Sequence, residues 1–129
     1  MPSTGFLEKL PTLDPEAIKK MISLAEDYAL VILRKGLASR EDKERNERLQ
    51  LAHLQHLAKL QLSGKLVLNG PVLQEHEILG VSIYATSVEE ARELAEADPK
   101  VQEGYLTVEV IPWMAVSSEE MIGAFKNLL

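Results

Sequence analysis

His53 and Asp98 are the two side chains in this sequence whose types and settings suit proton transfer. An imidazole titrates near neutral pH, and a carboxylate that binds it can orient the ring and stabilise its charged form. His53 lies in an amphipathic segment, HLQHLAKLQLSGK, which leads into the strand-like LVLNGP, whereas Asp98 lies between a second amphipathic segment and a proline. The sequence therefore predicts one buried imidazole that pairs with one carboxylate.

Both residues also have an ordinary structural interpretation. A histidine on the inner side of a helix is more often a hydrogen-bonded core residue than a catalyst. Asp98 can simply end a helix, because a residue before proline is pushed out of the helical region. A carboxylate at a helix C-terminus is disfavoured by the helix dipole, typically by a few tenths of a kcal/mol. A histidine partner would offset that cost.

The other two histidines offer less. His56 follows His53 by three residues on the border of the same helix face, and His76 lies in a polar turn between two glutamates. His53 and His56 could share a metal, but no E-x-x-H or H-E-x-x-H pattern accompanies them. We therefore expect no metal and no cofactor. The chain has no cysteine, which excludes disulfides, thiolate metal sites and cysteine nucleophiles.

The composition is that of an acidic globular domain. The 129 residues include 20 acidic and 14 basic side chains, and the net charge is -6. This length fits one domain with a real core, whereas the charge argues against a nucleic-acid partner, which needs a concentrated basic patch. The charge run at 40–48 alternates in sign and is expected to be solvated. No membrane-length apolar run or signal-peptide pattern is present, so we expect a cytoplasmic protein with no membrane partner.

Hydrophobic periodicity and turn residues predict four strands and four helices. The strands are expected at 28–33, 66–71, 79–85 and 105–111, and the helices at 15–26, 43–62, 87–97 and 117–127. The order is helix, then β-α-β-β-α-β, then helix, and its middle part is the split βαβ arrangement of a ferredoxin-like fold. We predict an α+β fold with a four-stranded antiparallel sheet and both central helices on one face. The expected limits are 1–26 for an N-terminal arm and helix, 27–114 for the ferredoxin-like domain, and 115–129 for a C-terminal helix.

Residues at the ends of the predicted helices support the expected helix limits. Asp14 precedes a proline and can cap the first helix, and Gly64 can take the left-handed conformation after the long helix. Either Thr86 or Ser87 can cap the next helix, and Ser87 has a glutamate three residues later, which is a capping-box pattern. Ser117 begins a second such pattern at the C-terminal helix.

The last strand, which Pro112 is expected to end, alternates between two faces. Leu106, Val108 and Val110 share one face, which should pack on the helices. The opposite face mixes aromatic, aliphatic, hydroxyl and carboxylate groups, so it is too apolar to stay fully wet and too polar for a dry core. We predict a homodimer whose two sheets enclose a partly polar cavity. The alternative is a monomer in which one face of the sheet is exposed to solvent.

The long helix carries more apolar surface than a single stripe. One group clusters on the side that should face the sheet: Leu49, His53, Leu57 and Leu60. A second group lies further round: Leu51, Leu54, Ala58 and Leu62. Because this arc exceeds that of an ordinary surface helix, we expect the terminal helices or a partner chain to cover it.

The order and spacing of several short pieces resemble the YCII-related (YciI-like) family, within the dimeric ferredoxin-like α/β-barrel superfamily. The pieces cover about residues 27–114 and are YALVILRKG, His53-Leu54 with Leu57, KLVLNGPVL, TSVEEARELAEADP and VEVIPW. The resemblance implies a dimer with a pocket in each subunit near the face where the two sheets meet. It also implies an active site at His53 and Asp98. Two positions depart from the pattern: Gln50 stands where members often have a basic residue, and Lys100 where they often have an aromatic one.

Two functions are open at this stage. One is a cofactor-independent enzyme of the lyase or isomerase type, in which His53 is the general acid or base and Asp98 orients it on a small organic substrate. The alternative is a non-catalytic dimer that binds a small molecule or serves as an accessory subunit. A buffer ion or metabolite bound beside His53 would favour the enzyme, whereas a pocket closed to anything larger than water would favour the alternative.

Overall fold

The computed structural model describes residues 3–129, and these divide into two compact units. One unit spans residues 27–113, and the other combines residues 3–26 with residues 114–129. The first unit contains both His53 and Asp98, so it is the unit that positions the candidate site. Within residues 3–129, none of the helices has both the length and the apolarity needed to cross a bilayer.

Four strands form one antiparallel sheet. Their bounds are Glu26–Lys35 for β1, Leu66–Pro71 for β2, Ile78–Tyr84 for β3 and Leu106–Ala115 for β4. The strand order is β2-β3-β1-β4, with β1 and β3 in the centre. This order and the antiparallel pairing are those of a ferredoxin-like fold, so the predicted α+β class and sheet are confirmed.

The structure has five α-helices within the described residues. They are α1 at Pro15–Ser23, α2 at Lys43–Leu62, α3 at Val88–Glu96, α4 at Pro99–Gln102 and α5 at Ser118–Ala124. Short 3-10 helices lie at Gly5–Lys9 and Lys126–Leu128. The first of them lies in the segment that was expected to be irregular, of which residues 1 and 2 fall outside the described range. The predicted limits of α2 are confirmed at both ends.

Side-chain caps explain where several helices begin and end. The side chains of Asp14, Ser87 and Ser117 each accept a hydrogen bond from a backbone N–H three residues later, as the sequence predicted. Asp42 does the same for α2, accepting from the Arg45 N–H at 3.1 Å. Gly64 follows α2 with a φ of 83°, which is the left-handed conformation that glycine adopts without strain.

One face of the sheet packs against α2 and α3 to form the core of the 27–113 unit. The buried residues are Ala29, Val31, Leu33, Leu57, Leu60, Leu66, Tyr84, Ala91, Ala95, Leu106 and Val110. The strand pairing places Ala29 opposite Tyr84 and Leu33 opposite Gly80, so these side chains point to the same side. The predicted inward group of α2 is confirmed, because Leu49, Leu57 and Leu60 are all buried.

One feature of the sheet differs from expectation. Strand β4 continues through Pro112 to Ala115. Proline lacks an N–H, but β4 is an edge strand, where one side of the backbone needs no partner within the sheet. The second apolar group of α2 remains exposed, with Leu51 at 59%, Leu54 at 51% and Leu62 at 89%. Its cover by another element or chain stays a prediction.

The terminal unit joins the N-terminal helix to the end of the chain. The ammonium group of Lys20 in α1 donates a hydrogen bond to the carbonyl of Ala124 at 3.4 Å. The same group lies 5.4 Å from the centre of the Phe125 ring, which is a cation–π distance. The residues that precede the sheet thus contact those that follow it.

Candidate active site

His53 lies near the middle of α2 and faces inward. Leu49 and Leu57, four residues before and after it, are both buried, and residues four apart share a helix face. Its side chain is 13% exposed. The helix periodicity therefore accounts for the inward direction of the imidazole, as the sequence predicted.

Asp98 lies between α3 and α4, a short helix that the sequence analysis did not predict. Because Pro99 follows it, its backbone is extended, with φ -60° and ψ 128°. Its Oδ1 accepts a hydrogen bond from the Lys100 N–H at 2.9 Å and so caps α4. The sequence interpretation treated this carboxylate as lying at an unfavourable helix C-terminus, whereas it caps the favourable N-terminus of the next helix.

The two predicted site residues meet. His53 Nδ1 lies 2.5 Å from Asp98 Oδ2, and the Asp98 side chain is only 4% exposed. Because an ionised carboxylate can only accept hydrogen bonds, Nδ1 carries the hydrogen and donates it. Within residues 3–129, the other ring nitrogen, Nε2, has no hydrogen-bond partner, and it is not among the buried unpartnered atoms. Nε2 of His53 is therefore free to accept a proton from a molecule that reaches it.

Tyr84 lies in the core close to this pair. It is 1% exposed, and burial, together with the negative charge of Asp98, raises the pKa of Tyr84 to about 12. The phenol therefore stays neutral at any physiological pH. It contributes no charge of its own beside the imidazole and the carboxylate.

A cavity of about 200 Å³ lies beside His53. Its lining includes Leu54 and Leu57 of α2, Gly80 and Ser82 of β3, and Asn69 of β2. Gly80 and Ser82 alternate with residues of the opposite face, so this cavity lies between α2 and the helix-covered side of the sheet. The family resemblance led us to expect a pocket near the free face instead.

Two cations also line this cavity, and sequence reasoning assigned a role to neither. Lys100 donates a hydrogen bond from Nζ to Gln50 Oε1. Burial lowers the pKa of the Lys100 ammonium, and the nearby Arg40 guanidinium lowers it further. Arg40 belongs to the charge run that was expected to be solvated. The proximity of Lys100 to Asp98 could have been found from the sequence if the short helix after Asp-Pro had been recognised.

The remaining histidines have structural partners. His56 Nε2 lies 2.8 Å from the carbonyl oxygen of Leu94 in α3 and donates to it. His76 Nδ1 accepts a hydrogen bond from the Ile78 N–H at 2.9 Å within its turn. In the part of the chain that the structure describes, no three His, Asp or Glu side chains are grouped as metal ligands.

Comparison with known protein families shows to which of them this chain belongs. The model of the YCII-related domain matches residues 28–114. The chain belongs to the YCII-related family. The predicted assignment is therefore confirmed, and the YCII-related domain contains His53, Asp98 and the residues around the cavity. Among curated proteins, no significant match to the chain is found.

Proposed function

We propose that this YCII-related protein is a cofactor-independent enzyme that transfers a proton on a small organic molecule bound beside His53. The observation that supports the proposal is the 2.5 Å contact between His53 Nδ1 and Asp98 Oδ2, next to a cavity that His53 itself lines. A buried Asp–His pair with an open Nε2 is what a general base requires.

In the proposed reaction, Nε2 of His53 removes a proton from a carbon next to a carbonyl group. The electron pair of the broken C–H bond moves into an enolate, and Asp98 stabilises the imidazolium that forms. The imidazolium then returns the proton to a different carbon, which gives an isomerisation. Otherwise the enolate expels a leaving group and the imidazolium gives its proton to that group or to water, which gives an elimination. A positioned histidine typically contributes about 10²–10⁴-fold to such a step.

The alternative is a non-catalytic small-molecule-binding protein. The cavity supports it, because polar groups of Ser82 and Asn69 beside leucine side chains are as typical of a binding site as of an active site. Binding without turnover would then be the whole function. The two proposals differ in one measurable property, which is whether His53 changes the protonation of a bound molecule.

The test is a deuterium-exchange screen. The purified chain is incubated in D₂O with a panel of small lactones, enones and other carbonyl compounds, and proton NMR follows the loss of the C–H signal next to the carbonyl. We expect exchange with at least one compound class, an exchange rate lower by about 10²–10⁴-fold in His53→Gln, and an unchanged rate in the matched control His76→Gln. Exchange that survives in His53→Gln contradicts the enzyme proposal. Binding without any exchange supports the alternative.

We also propose that the protein forms a homodimer through the free face of the sheet. On β1 and β3 this face carries Leu30, Ile32, Val81 and Ile83, all half-buried in the single chain. On the neighbouring strand, Leu68 is 63% exposed. A second sheet would remove this apolar surface from water. Light scattering should give the mass of two chains, and a mass of 14.4 kDa would contradict the proposal.

A further inference from the structure

The cavity beside His53 is cationic on one side, although the chain as a whole is acidic. Arg40 and Lys100 both line it, and no carboxylate is found among its described lining residues. Neither cation forms an ion pair with a side chain in residues 3–129. We propose that Arg40 and Lys100 form a carboxylate-binding subsite, so that the ligand of this cavity is a small organic acid.

Arg40 is held in place by a close contact between two backbone segments. The N–H of Gly36 donates to the Tyr105 carbonyl at 2.8 Å, and the N–H of Ala38 donates to the Gly104 carbonyl at 3.1 Å. A Cβ on Gly36 would lie 2.0 Å from the Gly104 oxygen, so only glycine permits this approach. The loop that ends at Arg40 is therefore fixed against the turn that follows α4.

The guanidinium of Arg40 still has an unused donor. One of its terminal nitrogens donates to the Tyr105 carbonyl, and its central carbon lies 5.1 Å from the centre of the Tyr105 ring. Its Nε is buried and has no acceptor among the described residues. A buried atom cannot be reached from the cavity, so a ligand would bind the other terminal nitrogen of Arg40, which has no hydrogen-bond partner among the described residues and is not among the buried unpartnered atoms.

Lys100, two residues after Asp98, lines the same cavity. Its ammonium has three donors, and Gln50 Oε1 accepts one of them. Asp98 forms no ion pair with this ammonium, since one carboxylate oxygen binds His53 and the other caps the backbone of α4, although the negative charge of Asp98 partly offsets the lowering of the Lys100 pKa. Lys100 thus supplies a positive charge beside Gln50.

The rest of the cavity determines what kind of anion fits. Leu33, Leu54, Leu57, Leu79 and Leu106 give it apolar walls. Glu47 lines a neighbouring pocket together with the same two cations, but it does not line the cavity beside His53. An apolar body with one carboxylate suits this arrangement, because guanidinium and ammonium groups bind a carboxylate while leucines cover the hydrocarbon. A cavity of roughly 150 Å³ is enough to hold a benzene ring.

The subsite is tested by equilibrium binding of benzoate and of benzamide, which has nearly the same shape but no charge. Calorimetry with the full chain should show that benzoate binds at least about tenfold more tightly, since charge-assisted hydrogen bonds are the stronger ones. Lys100→Gln should remove most of this preference, whereas Lys100→Arg should keep it. The control Lys59→Gln makes the same change in net charge on an exposed part of α2 and should leave the preference intact.

Equal binding of benzoate and benzamide by the unmodified chain would overturn the subsite. So would a preference that survives in both Lys100→Gln and Arg40→Gln, provided that circular dichroism shows these variants to be folded. The subsite gains its catalytic meaning from the proposed function, but binding requires no proton transfer. A preference for benzoate together with exchange that survives in His53→Gln would therefore reject the enzyme and keep the subsite. Equal binding of benzoate and benzamide together with exchange that is lost in His53→Gln would reject the subsite and keep the enzyme.

Discussion

His53 and His56 lie three residues apart on α2, and both bind the chain at the end of α3, but their acceptors differ. His56 donates to the carbonyl of Leu94, in the last turn of α3, where carbonyl groups lack helical N–H partners. His53 donates to the carboxylate of Asp98, which follows the same helix. One histidine therefore completes a helix end, and the other forms a charge-stabilising pair.

The comparison shows that position on a helix does not decide what a histidine does. A neutral carbonyl fixes the ring of His56 but offers little to an imidazolium, whereas the carboxylate of Asp98 can stabilise a positive charge on His53. Only His53 lines the cavity. A histidine is a candidate base when its hydrogen-bond acceptor is a carboxylate and its ring lines a cavity that a ligand can enter, and a structural residue when neither is true.

The largest effect is expected when the carboxylate is neutralised. Asp98→Asn keeps an oxygen that can cap α4 but removes the charge, so the deuterium-exchange rate should fall by about 10²–10⁴-fold, as for His53→Gln. The double variant should be no slower than the slower single one, because groups that act as a unit are not additive. A full rate in Asp98→Asn would show that His53, like His56, needs only a neutral acceptor.

A second effect concerns Tyr84, whose pKa reports on the charge of Asp98. A phenol with a higher pKa in the folded chain than in the unfolded chain favours folding below the ordinary value of 10.0, and this contribution is lost as the pH rises to about 12. The free energy of unfolding should therefore fall by about 2–3 kcal/mol across that interval, and by less in Tyr84→Phe. Urea unfolding at a series of alkaline pH values measures both.

The same titration distinguishes the two histidine sites. In Asp98→Asn, phenolate absorbance should show a lower pKa for Tyr84, because the second cause of its shift is gone. His56→Gln should leave that pKa in place. A Tyr84 titration that does not respond to Asp98→Asn would mean that the carboxylate exerts no field on its surroundings.

A smaller effect is expected from the structural histidine. His56→Gln removes or weakens one hydrogen bond to Leu94, so the free energy of unfolding should fall by about 1 kcal/mol. The exchange rate should stay within about threefold of the unmodified chain, since His56 does not line the cavity. A loss of activity as large as that of Asp98→Asn would remove the contrast between the two sites.

The smallest effect needs no mutation. His53 donates through Nδ1 and His56 donates through Nε2, so the two neutral rings should be opposite tautomers. Nitrogen chemical shifts from long-range proton–nitrogen NMR spectra distinguish the two forms. If both rings carry their hydrogen on Nε2, the bond between His53 and Asp98 does not have the arrangement that a base at Nε2 requires.

Local patterns predicted much of this molecule. Leucines four residues on either side of His53 indicated that it faces inward, and cap residues located the helix starts, because both depend on neighbours within one or two turns. The edge position that lets β4 pass through Pro112 depends on the strand order, which is a property of the whole sheet. The approach of Arg40 to Lys100 likewise depends on a contact between residues 36–38 and residues 104–105, which are far apart in the sequence and which no local pattern joins.

Asp98 also has a consequence for exchanging parts between related chains. One of its oxygens caps the start of α4, and the other binds His53 in α2. The tripeptide Asp98-Pro99-Lys100 therefore holds the orienting carboxylate and a cation in one short segment. An insertion of one residue within it would uncouple the two. Transfer of the whole tripeptide to a related chain should carry both groups in the same relative position, whereas the transfer of either residue alone should not.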